Sequence, residues 1–325
     1  MERFLPEVLA NTPGDVEVIV ADNASGDGSL AMMRSRFPSV RCIALDKNHG
    51  YAGGYNRALE QVQADFYILL NSDASVKGGW TASCLQMLRD HPEVGAVQPK
   101  IVSLEEPGRF DYAGAAGGYL DHLGYPFCRG RLFHTVEEDR GQYDGVEEIF
   151  WASGAALFVR AKAFQEAGGF DERFFAHMEE VDLCWRLQNR GYRIVACPAS
   201  VVYHLGGGSL PASSPRKTFL NFRNSLWMLS KNMPRRHFRR RMAFRLLLDQ
   251  LAAISFLLQG KAADCLAVWR AHAALCRQYS VMRREGRAVD GELPPLLYRR
   301  SIVLDYFVRR RKRFSDLFFR ASKAR

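Results

Sequence analysis

The sequence predicts an α/β protein with a mostly parallel sheet and helices on both faces, followed by a basic, mainly α-helical region. Short apolar segments alternate with helical ones through the first part of the 325 residues, the pattern of strand–helix–strand units. Helix-forming sequence dominates from residue 216 to about 313. The formal charge also changes sign near residue 216, so we divide the chain into an α/β part, 1–215, and a basic helical part, 216–325.

Four apolar segments in the α/β part are predicted to be buried parallel strands, because they are short and rich in β-branched or aliphatic residues. They are VEVIVA (16–21), RCIAL (41–45), FYILL (66–70) and VGAVQ (94–98). Helices are predicted between them at 28–36, 52–63 and 78–90. Ligands of such sheets bind at the carboxyl ends of the strands, which directs attention to the loops after the first three strands.

The remainder of the α/β part is predicted to begin with an irregular insertion or flap at 107–150, rich in Gly and aromatic residues. It continues with a strand (151–160), a short helix that stops at two glycines (161–170), a longer helix (180–192) and a strand with a glycine-rich loop (193–209). SLPASSPRK (209–217) is predicted to be a linker.

The composition argues against several classes of protein. With 47% apolar and 25% charged residues, the chain has the composition of an ordinary globular protein, and its length allows a large core. Its seven cysteines are scattered without a CxxC pair, which argues against a disulfide framework or a zinc site. The first ten residues carry charges and a proline where a signal peptide requires an apolar segment, so we expect a cytoplasmic location.

The charge is unevenly distributed. Residues 216–325 contain 26 Lys and Arg against 7 Asp and Glu, a net charge of +19, whereas residues 1–215 have a net charge of −9. Arginines cluster beside Phe and Met in RRHFRRRMAFR and FVRRRKRF, the composition of a helix that lies on an anionic membrane. Nucleic acid is another polyanion, but no nucleic-acid-binding motif accompanies the charge. We therefore expect a peripheral protein at the inner face of the plasma membrane, without a nucleic-acid partner.

The most apolar segment of the chain is FRLLLDQLAAISFLLQG (244–260). Asp249 and Gln250 interrupt it, and it falls short of the roughly 20 residues that a membrane-spanning helix requires. We therefore predict a buried helix within a small helical subdomain.

Polar residues that follow the predicted strands are the first candidates for chemistry. Asp73 lies in NSDAS after the third strand, where one carboxylate together with substrate phosphates would hold Mg²⁺ or Mn²⁺. Asp22 has the same position after the first strand, where a carboxylate can accept a hydrogen bond from a base or a ribose hydroxyl. Both residues are also typical of turns and helix caps.

Two further loops carry weaker signals. Gly50 and Gly53 stand at a predicted helix start, where glycine lets the backbone approach a ligand and the helix N-terminus attracts phosphate. His204 follows a strand and precedes three glycines. A structural histidine is one interpretation, and a transition-metal ligand beside Asp73 is the other.

HMEEVDLCWRL (177–187) contains three carboxylates, Glu179, Glu180 and Asp182, at the start of a predicted helix. Acidic side chains stabilise a helix N-terminus, because the free N–H groups there carry partial positive charge. A carboxylate at the end of an element can also be a general base. The local sequence allows both roles.

The order of these segments resembles that of family 2 glycosyltransferases, most closely the branch of bacterial rhamnosyl- and galactofuranosyl-transferases of cell-surface polysaccharide assembly. The resemblance covers about residues 1–232 and is carried by VEVIVADNASGDGS, NHGYAGGYNRAL, ILLNSDAS, the segment 153–194 and VVYHLGGGS. It implies that 1–215 is a GT-A catalytic domain. It also implies inverting, metal-dependent transfer of a sugar from a dTDP- or UDP-sugar donor to a hydroxyl of a lipid-linked or polysaccharide acceptor.

The resemblance also assigns roles to individual residues. Asp22, with Asn23 beside it, would contact the nucleobase. Asn71 and Asp73 occupy the place of the DxD motif, and His204 that of a late metal ligand, for Mn²⁺ or Mg²⁺. Glu180 occupies the position of the base, with Glu179 and Asp182 as rivals. The other candidates for substrate binding are Gly50, Gly53, Asn56, Trp151, Ser153, Gly154, Ala155, Trp185 and Arg186.

Two departures from the family pattern leave alternatives open. The family begins with a β-strand and a short loop that complete the nucleotide pocket, whereas this sequence begins in the following helix; either the start lies upstream or the sheet lacks a strand. The family's base is Asp, and Glu180 stands in its place. A nucleotidyltransferase or sugar-nucleotide-modifying enzyme on a similar sheet is one alternative function. A truncated, inactive paralogue that acts as a scaffold is another.

Overall fold

The computed structural model describes residues 1–206, 214–285 and 293–317. Its helices are α1 (Leu5–Asn11), α2 (Ser29–Arg36), α3 (Gly50–Leu59), α4 (Ala82–Asp90), α5 (Ala161–Glu166), α6 (Glu179–Gln188), α7 (Pro215–Asn232), α8 (Arg235–Leu258) and α9 (Ala262–Glu285). Short helical turns of 3₁₀ or π type occupy Glu172–Phe174, Leu304–Val308 and Phe314–Asp316. The predicted linker lies largely outside the described residues, and α7 begins at Pro215.

The strands are β1 (Ile19–Asp22), β2 (Arg41–Ala44), β3 (Phe66–Leu70), β4 (Ala74–Val76), β5 (Val94–Ser103), β6 (Gly118–Leu120), β7 (Pro126–Cys128), β8 (Arg131–Leu132), β9 (Thr135–Val136), β10 (Glu147–Glu148), β11 (Ala156–Arg160) and β12 (Arg193–His204). Each strand and helix predicted before residue 100 is present within a few residues of its predicted bounds. The insertion at 107–150 is less irregular than predicted, because it contains five short strands, β6 to β10.

The chain forms two compact units. Unit 1 comprises Met1–Gly118 and Cys128–Gly206, and unit 2 comprises Tyr119–Phe127 and Gly207–Arg325. The division into a catalytic part and a basic part at residue 215 stays a prediction about function.

The sheet of unit 1 is mixed rather than mostly parallel. Its strand order is β10-β12-β5-β11-β3, with β4 paired to β12. β12 runs parallel to β5, whereas β11 is antiparallel to both β3 and β5. The chain enters β11 from the opposite end after the excursion through the insertion, and this reverses its direction.

A cavity separates β1 from β3. Within the described residues, β1 pairs in parallel only with β2, and β3 pairs only with β11. The space between the two sheets is a cavity of about 280 Å³, with Val20 of β1 and Leu70 of β3 among its lining residues. Apolar side chains of the N-terminal segment, Phe4 and Leu5 among them, line the same cavity.

The main core lies where α4 packs against the central sheet. β5 is buried along nearly its whole length, as its apolar sequence predicts. Trp80, just before α4, contacts Phe158 of β11 with ring centroids 5.6 Å apart. This core fixes the sheet and therefore the positions at which its strands end.

Unit 2 contains α7, α8 and α9, and α9 packs against both of the others. The prediction that 244–260 is a buried helix is wrong for one face of α8. Six large apolar side chains of α8 are 52–84% exposed: Phe244, Leu247, Leu251, Ile254, Leu257 and Leu258. The buried side of the helix instead holds the ion-paired Arg245 and Asp249, together with Ala253. Apolar content alone does not determine which side of a helix faces the core. Among the described residues, no helix is long and apolar enough to cross a membrane.

Candidate active site

The ends of β3 and β12 bring Asp73, His204 and Asn71 together. His204 Nε2 lies 3.2 Å from Asp73 Oδ1 and 3.3 Å from Asn71 Nδ2. β12 pairs with β4 so that His204 stands opposite Ala74, the residue after Asp73, which fixes this approach. The structure therefore brings the predicted Asp73 and His204 side chains together, and their role in a site stays a prediction.

A third residue, Asp111, contacts the other side of the His204 ring. His204 Nδ1 lies 3.1 Å from Asp111 Oδ1, and the Asp111 side chain is almost completely buried. Burial lowers the pKa of His204, but hydrogen bonds and charge from Asp111 and Asp73 outweigh it and raise the pKa to about 9. The imidazole is therefore held in one orientation between two carboxylates.

These side chains suit a divalent cation only in part. Among the described residues, no group of three or more His, Cys, Asp or Glu side chains could hold a metal ion. Asp73 and His204 offer one carboxylate and one imidazole, a donor pair compatible with Mn²⁺. Substrate phosphates and water would have to complete the coordination, as is usual for Mg²⁺ sites that act on nucleotides.

Two tyrosines of α3 lie between this cluster and the start of α6. Tyr51 and Tyr55 are one turn apart, with ring centroids at 4.7 Å. Tyr55 donates to the carbonyl of Leu70 at the end of β3, and Tyr51 donates to the carbonyl of Gly154. Burial raises the pKa of both phenols, to about 12 for Tyr55. The charge of Asp73 adds to this rise at Tyr55, and the charges of Glu179 and Glu180 add to it at Tyr51.

The backbone before α6 is strained. Phe175, His177 and Met178 have φ angles of 66°, 71° and 72°, a region that non-glycine residues rarely adopt. The carbonyl of Phe175 accepts a hydrogen bond from the amide of Tyr51 at 2.6 Å, which ties this turn to α3. Such strain costs about 1–3 kcal/mol per residue and is concentrated at functional sites.

The three carboxylates of α6 lie in different environments. Glu179 is 4% exposed, and burial and then the charge of Glu180 raise its pKa well above the usual range. Glu180 is only partly buried, and burial raises its pKa to about 6 although backbone N–H groups of the helix start oppose the rise. Asp182 is completely buried and accepts a hydrogen bond from Arg186 Nε at 2.8 Å. Glu180 is therefore the least buried of the three carboxylates, whereas Asp182 and Arg186 form a buried ion pair.

The two carboxylate oxygens of Asp22 lie in different environments. Its Oδ2 accepts a hydrogen bond from the amide of Ser25 at 3.1 Å, which is the predicted turn interaction. Its Oδ1 is buried without a hydrogen-bond partner among the described residues. One carboxylate oxygen is therefore left for a ligand.

Several other candidates hold the loops of the site rather than facing open space. Asn23 Nδ2 donates to the carbonyl of Gly50 at 2.9 Å, and Asn56 bonds both backbone groups of Phe170. A Cβ on Gly50 would lie 2.4 Å from the carbonyl oxygen of Phe175, and one on Gly53 would lie 2.9 Å from the His49 side chain. These glycines allow α3 to pack tightly, although Gly50, Asn23 and Asn71 also line the 280 Å³ cavity.

The segment 151–155 is built into the same framework. The carbonyl of Ala155 accepts from the amide of Asn71, and Ser153 Oγ donates to the carbonyl of Ala113. Trp151 packs directly over Gly118, and Gly154 packs against the Tyr51 hydroxyl. Trp185 is fully buried against Phe150, with ring centroids 5.5 Å apart, and lies in the core rather than in the cleft.

Asp111, Tyr51 and Tyr55 are the site residues that the sequence interpretation missed. The two tyrosines are four residues apart in the glycine-rich segment, so they share one face of α3, and this spacing was a usable signal. No sequence signal could have found Asp111, because its position depends on how the insertion folds back along β5. There the Asp111 amide donates to the carbonyl of Ile101.

A mixed central sheet with helices packed on it, and polar side chains gathered where its strands end, is the arrangement of the GT-A fold. Solved structures share this fold. The mannosyltransferase PcManGT from Pyrobaculum calidifontis, in complex with GDP-Man and Mn²⁺, superposes with a TM-score of 0.51 and 17% identity, over 88% of this chain and 80% of its own. GalNAc-T7 with UDP, GalNAc and Mn²⁺ superposes with a TM-score of 0.54 and 14% identity, over 70% of this chain and 44% of its own.

Sequence comparison gives the family. The model of Glycosyl transferase family 2 matches residues 1–159. The N-acetylglucosaminyl-diphospho-decaprenol L-rhamnosyltransferase of Mycobacterium tuberculosis is 32% identical over 222 residues, which cover 63% of this chain and 71% of the relative. The pre-mycofactocin glycosyltransferase of the same species is 31% identical over 198 residues, covering 58% of this chain and 37% of the relative. The chain belongs to glycosyltransferase family 2, and the predicted GT-A fold is confirmed.

Proposed function

We propose that the protein transfers a sugar from a dTDP- or UDP-sugar to a hydroxyl of a lipid-linked or polysaccharide acceptor, with inversion at the anomeric carbon. One observation carries this proposal: the charge of Glu180 acts on Tyr51 and the charge of Asp73 acts on the neighbouring Tyr55, so both carboxylates lie near one tyrosine pair, and the pKa of Glu180 is raised to about 6. A base with a pKa just below neutrality is ionised at physiological pH and still basic enough to accept a proton.

In this mechanism Glu180 accepts the proton of the acceptor hydroxyl while that oxygen attacks the anomeric carbon. The bond from the anomeric carbon to the diphosphate breaks on the opposite face, so the configuration inverts and no covalent enzyme intermediate forms. Asp22 Oδ1, buried and without a partner among the described residues, would accept a hydrogen bond from the nucleoside. The hydrogen bond from the Tyr51 amide to the Phe175 carbonyl ties the turn before α6 to α3, and so supports the helix start that carries the glutamates.

Asp73 and His204 would hold a divalent cation, and the His204 ring would have to release its proton to become a ligand. The cation would supply positive charge against the departing diphosphate. Asp111 would orient His204 from the far side of the ring. The two structural neighbours contain Mn²⁺, and for this chain the Asp73–His204 pair supports Mn²⁺ or Mg²⁺.

The relative that is 32% identical is named as a rhamnosyltransferase, and the N-acetylglucosaminyl-diphospho-decaprenol in its name is lipid-linked. This supports a lipid-linked acceptor, and a deoxyhexose donor as the first to be tested. It also supports the proposal that the basic region, 216–325, attaches the protein to the inner face of the plasma membrane, because such an acceptor lies at a bilayer surface.

The proposal is tested by incubating the protein with a panel of dTDP- and UDP-sugars and a short-chain prenyl-diphospho-sugar acceptor, with Mn²⁺ or with chelator. We expect one product whose mass increases by one sugar, release of nucleoside diphosphate, and loss of turnover in Asp73→Ala but not in the control Asp65→Ala, at an exposed residue just before β3. Release of pyrophosphate would identify a nucleotidyltransferase instead. Absence of donor binding and of turnover with every donor would favour an inactive paralogue.

A further inference from the structure

Helix α8 exposes apolar side chains and buries charged ones, the reverse of an ordinary surface helix. Large apolar side chains at Phe244, Leu247, Leu251, Ile254 and Leu258 are exposed, while the opposite side buries the Arg245–Asp249 ion pair. These five residues are spaced three or four positions apart, so they form one stripe along the helix, and the exposed Leu257 lies beside its end. We call this stripe the α8 face. At 1.5 Å per residue it is about 21 Å long.

A contiguous apolar stripe of this size on a surface requires an explanation, because isolated exposed apolar residues are normal but aligned ones mark binding sites. We propose that the α8 face is the membrane-binding surface of the protein, and that it inserts among the acyl chains of a bilayer rich in anionic lipid. This inference deepens the membrane association proposed above and rests on that proposed function.

The charges around the α8 face select an anionic bilayer as its partner. Arg240 and Arg236 lie four and eight residues before Phe244, so they continue the same stripe, and both are exposed. Asp249 is the only acidic residue of α8, and it is buried and paired. Apolar side chains directed to the acyl region, flanked by arginines at the level of lipid phosphates, are the pattern of helices that lie in the plane of a membrane.

A tryptophan of α9 lies beside the same surface. Trp269 is 50% exposed, and its indole N–H donates to the side-chain carbonyl of Gln250 on α8 at 3.1 Å. Tryptophan favours the boundary between acyl chains and headgroups, where its ring is apolar and its N–H meets polar groups. The neighbouring Arg270 is exposed as well.

A second copy of the chain is a less suitable occupant of the α8 face. If two such faces packed together, the arginines of each copy would lie against the apolar stripe of the other. They would find no carboxylate to pair with there, because α8 has no exposed acidic residue. The net charge of +19 on residues 216–325 adds repulsion between copies. Anionic lipid instead supplies the missing negative charge.

The test is flotation of the full chain with vesicles of phosphatidylcholine and phosphatidylglycerol, compared with vesicles of phosphatidylcholine alone. Leu251→Glu, a substitution of an exposed side chain, is expected to lower partitioning onto the mixed vesicles about tenfold or more. The matched control is Val281→Glu on α9, which also replaces an exposed aliphatic residue by Glu and is expected to change partitioning less than about twofold. Arg236→Ser and Arg240→Ser should each weaken binding about fivefold, and added salt should reduce that difference.

Fluorescence of Trp269 tests the same surface without introducing a charge. The fluorescence difference between the wild type and Trp269→Phe isolates Trp269, and it should shift to the blue when mixed vesicles are added. Wild-type binding that Leu251→Glu leaves unchanged would overturn the inference. A concentration-dependent dimer in solution that Leu251→Glu abolishes would also overturn it and assign the face to a second copy.

Transfer to a water-soluble acceptor analogue, measured in parallel, separates this inference from the proposed function. Leu251→Glu should keep that activity, whereas Asp73→Ala should lose it and still bind vesicles. Transfer without vesicle binding by the wild type would refute the membrane inference alone. Vesicle binding without transfer from any donor would refute the proposed function and leave the membrane surface standing.

Discussion

The carboxylates of the proposed active site in unit 1 differ in their hydrogen bonding from the buried carboxylates of unit 2, which are paired as Asp182 of unit 1 is. In unit 1, Glu179 Oε2, Glu180 Oε2 and Asp22 Oδ1 are buried atoms without a hydrogen-bond partner among the described residues. In unit 2, the fully buried Asp249 accepts from Tyr125 and Arg245 at 2.8 Å each, and His272 lies 3.3 Å from its other oxygen. Asp305 is also fully buried, and Tyr298, Arg309 and Arg311 donate to it.

The pKa values reflect the same contrast. Burial alone would raise the pKa of Asp249, but Arg245 first, and then hydrogen bonds from His272, Arg245 and Tyr125, lower it below the usual value. At Glu179 and Glu180 burial raises the pKa, and no described cation opposes it. A buried carboxylate whose oxygens are all hydrogen-bonded stabilises a fold. One with an unpaired oxygen can still accept a hydrogen bond from a substrate. The comparison predicts that mutations of the two sets will have opposite effects on stability and activity.

The largest effect is expected for Glu180→Gln, which removes the proposed base and preserves its shape. Turnover should fall about 10²–10⁴-fold, because this is the usual contribution of a positioned base, while donor binding should remain within about twofold. In the wild type, kcat/KM should fall as the pH decreases below about 6, because protonated Glu180 cannot accept the hydroxyl proton. The variant should lack this dependence. The measurement is transfer rate against pH, with donor affinity from calorimetry.

The control for this prediction is Glu60→Gln, which changes an exposed glutamate at the end of α3 and should leave the pH profile unchanged. Full activity in Glu180→Gln would transfer the base role to Glu179 or Asp182. It would also mean that a buried carboxylate oxygen without a partner does not identify a catalytic residue in unit 1.

The next largest effect is expected for Asp249→Asn in unit 2. The substitution leaves the buried Arg245 without its counter-charge, and removal of one partner of a buried ion pair costs about 3–5 kcal/mol. The free energy of unfolding from urea denaturation should decrease by this amount, and the exposed Asp65→Asn should change it by less than about 0.5 kcal/mol. If Asp249→Asn were as stable as the wild type, the ion pair and hydrogen bonds of Asp249 would not stabilise the fold.

Asp111→Asn is a third test, intermediate in size, because Asp111 supports His204 without being a proposed ligand. Loss of the carboxylate should weaken the hold on the imidazole and lower Mn²⁺ affinity about 10–100-fold. Calorimetric titration with Mn²⁺ in the presence of UDP measures this directly. The exposed Asp90→Asn is the control, and unchanged Mn²⁺ affinity in Asp111→Asn would exclude a positioning role.

The sequence interpretation succeeded where local pattern and sheet geometry suffice. Alternating apolar and helical segments placed the elements of unit 1, and the rule that ligands meet strand ends brought Asp73 and His204 together. It failed where partners come from distant segments. Asp111 reaches His204 only because the insertion folds back along β5, and β11 is antiparallel only because the chain enters it from the far end. The exposed side of α8 was also missed, because hydropathy does not reveal that Arg245 and Asp249 face the interior.

The smallest effect, and the most direct test of the comparison, is expected for Glu179→Gln. The raised pKa of Glu179 means that ionisation opposes folding, so the wild type should lose stability as the pH rises above the ordinary Glu value of 4.5. Glutamine does not ionise, so the variant should be more stable at pH 8 by about 1 kcal/mol or more, since one pKa unit corresponds to about 1.4 kcal/mol. The difference should shrink toward pH 4, where Glu179 is protonated in the folded and largely in the unfolded chain. Urea unfolding at both pH values measures it, with Glu60→Gln as the exposed control. A variant less stable than the wild type at pH 8 would mean that ionised Glu179 is as well supported as Asp249, and the distinction between the two units would fail.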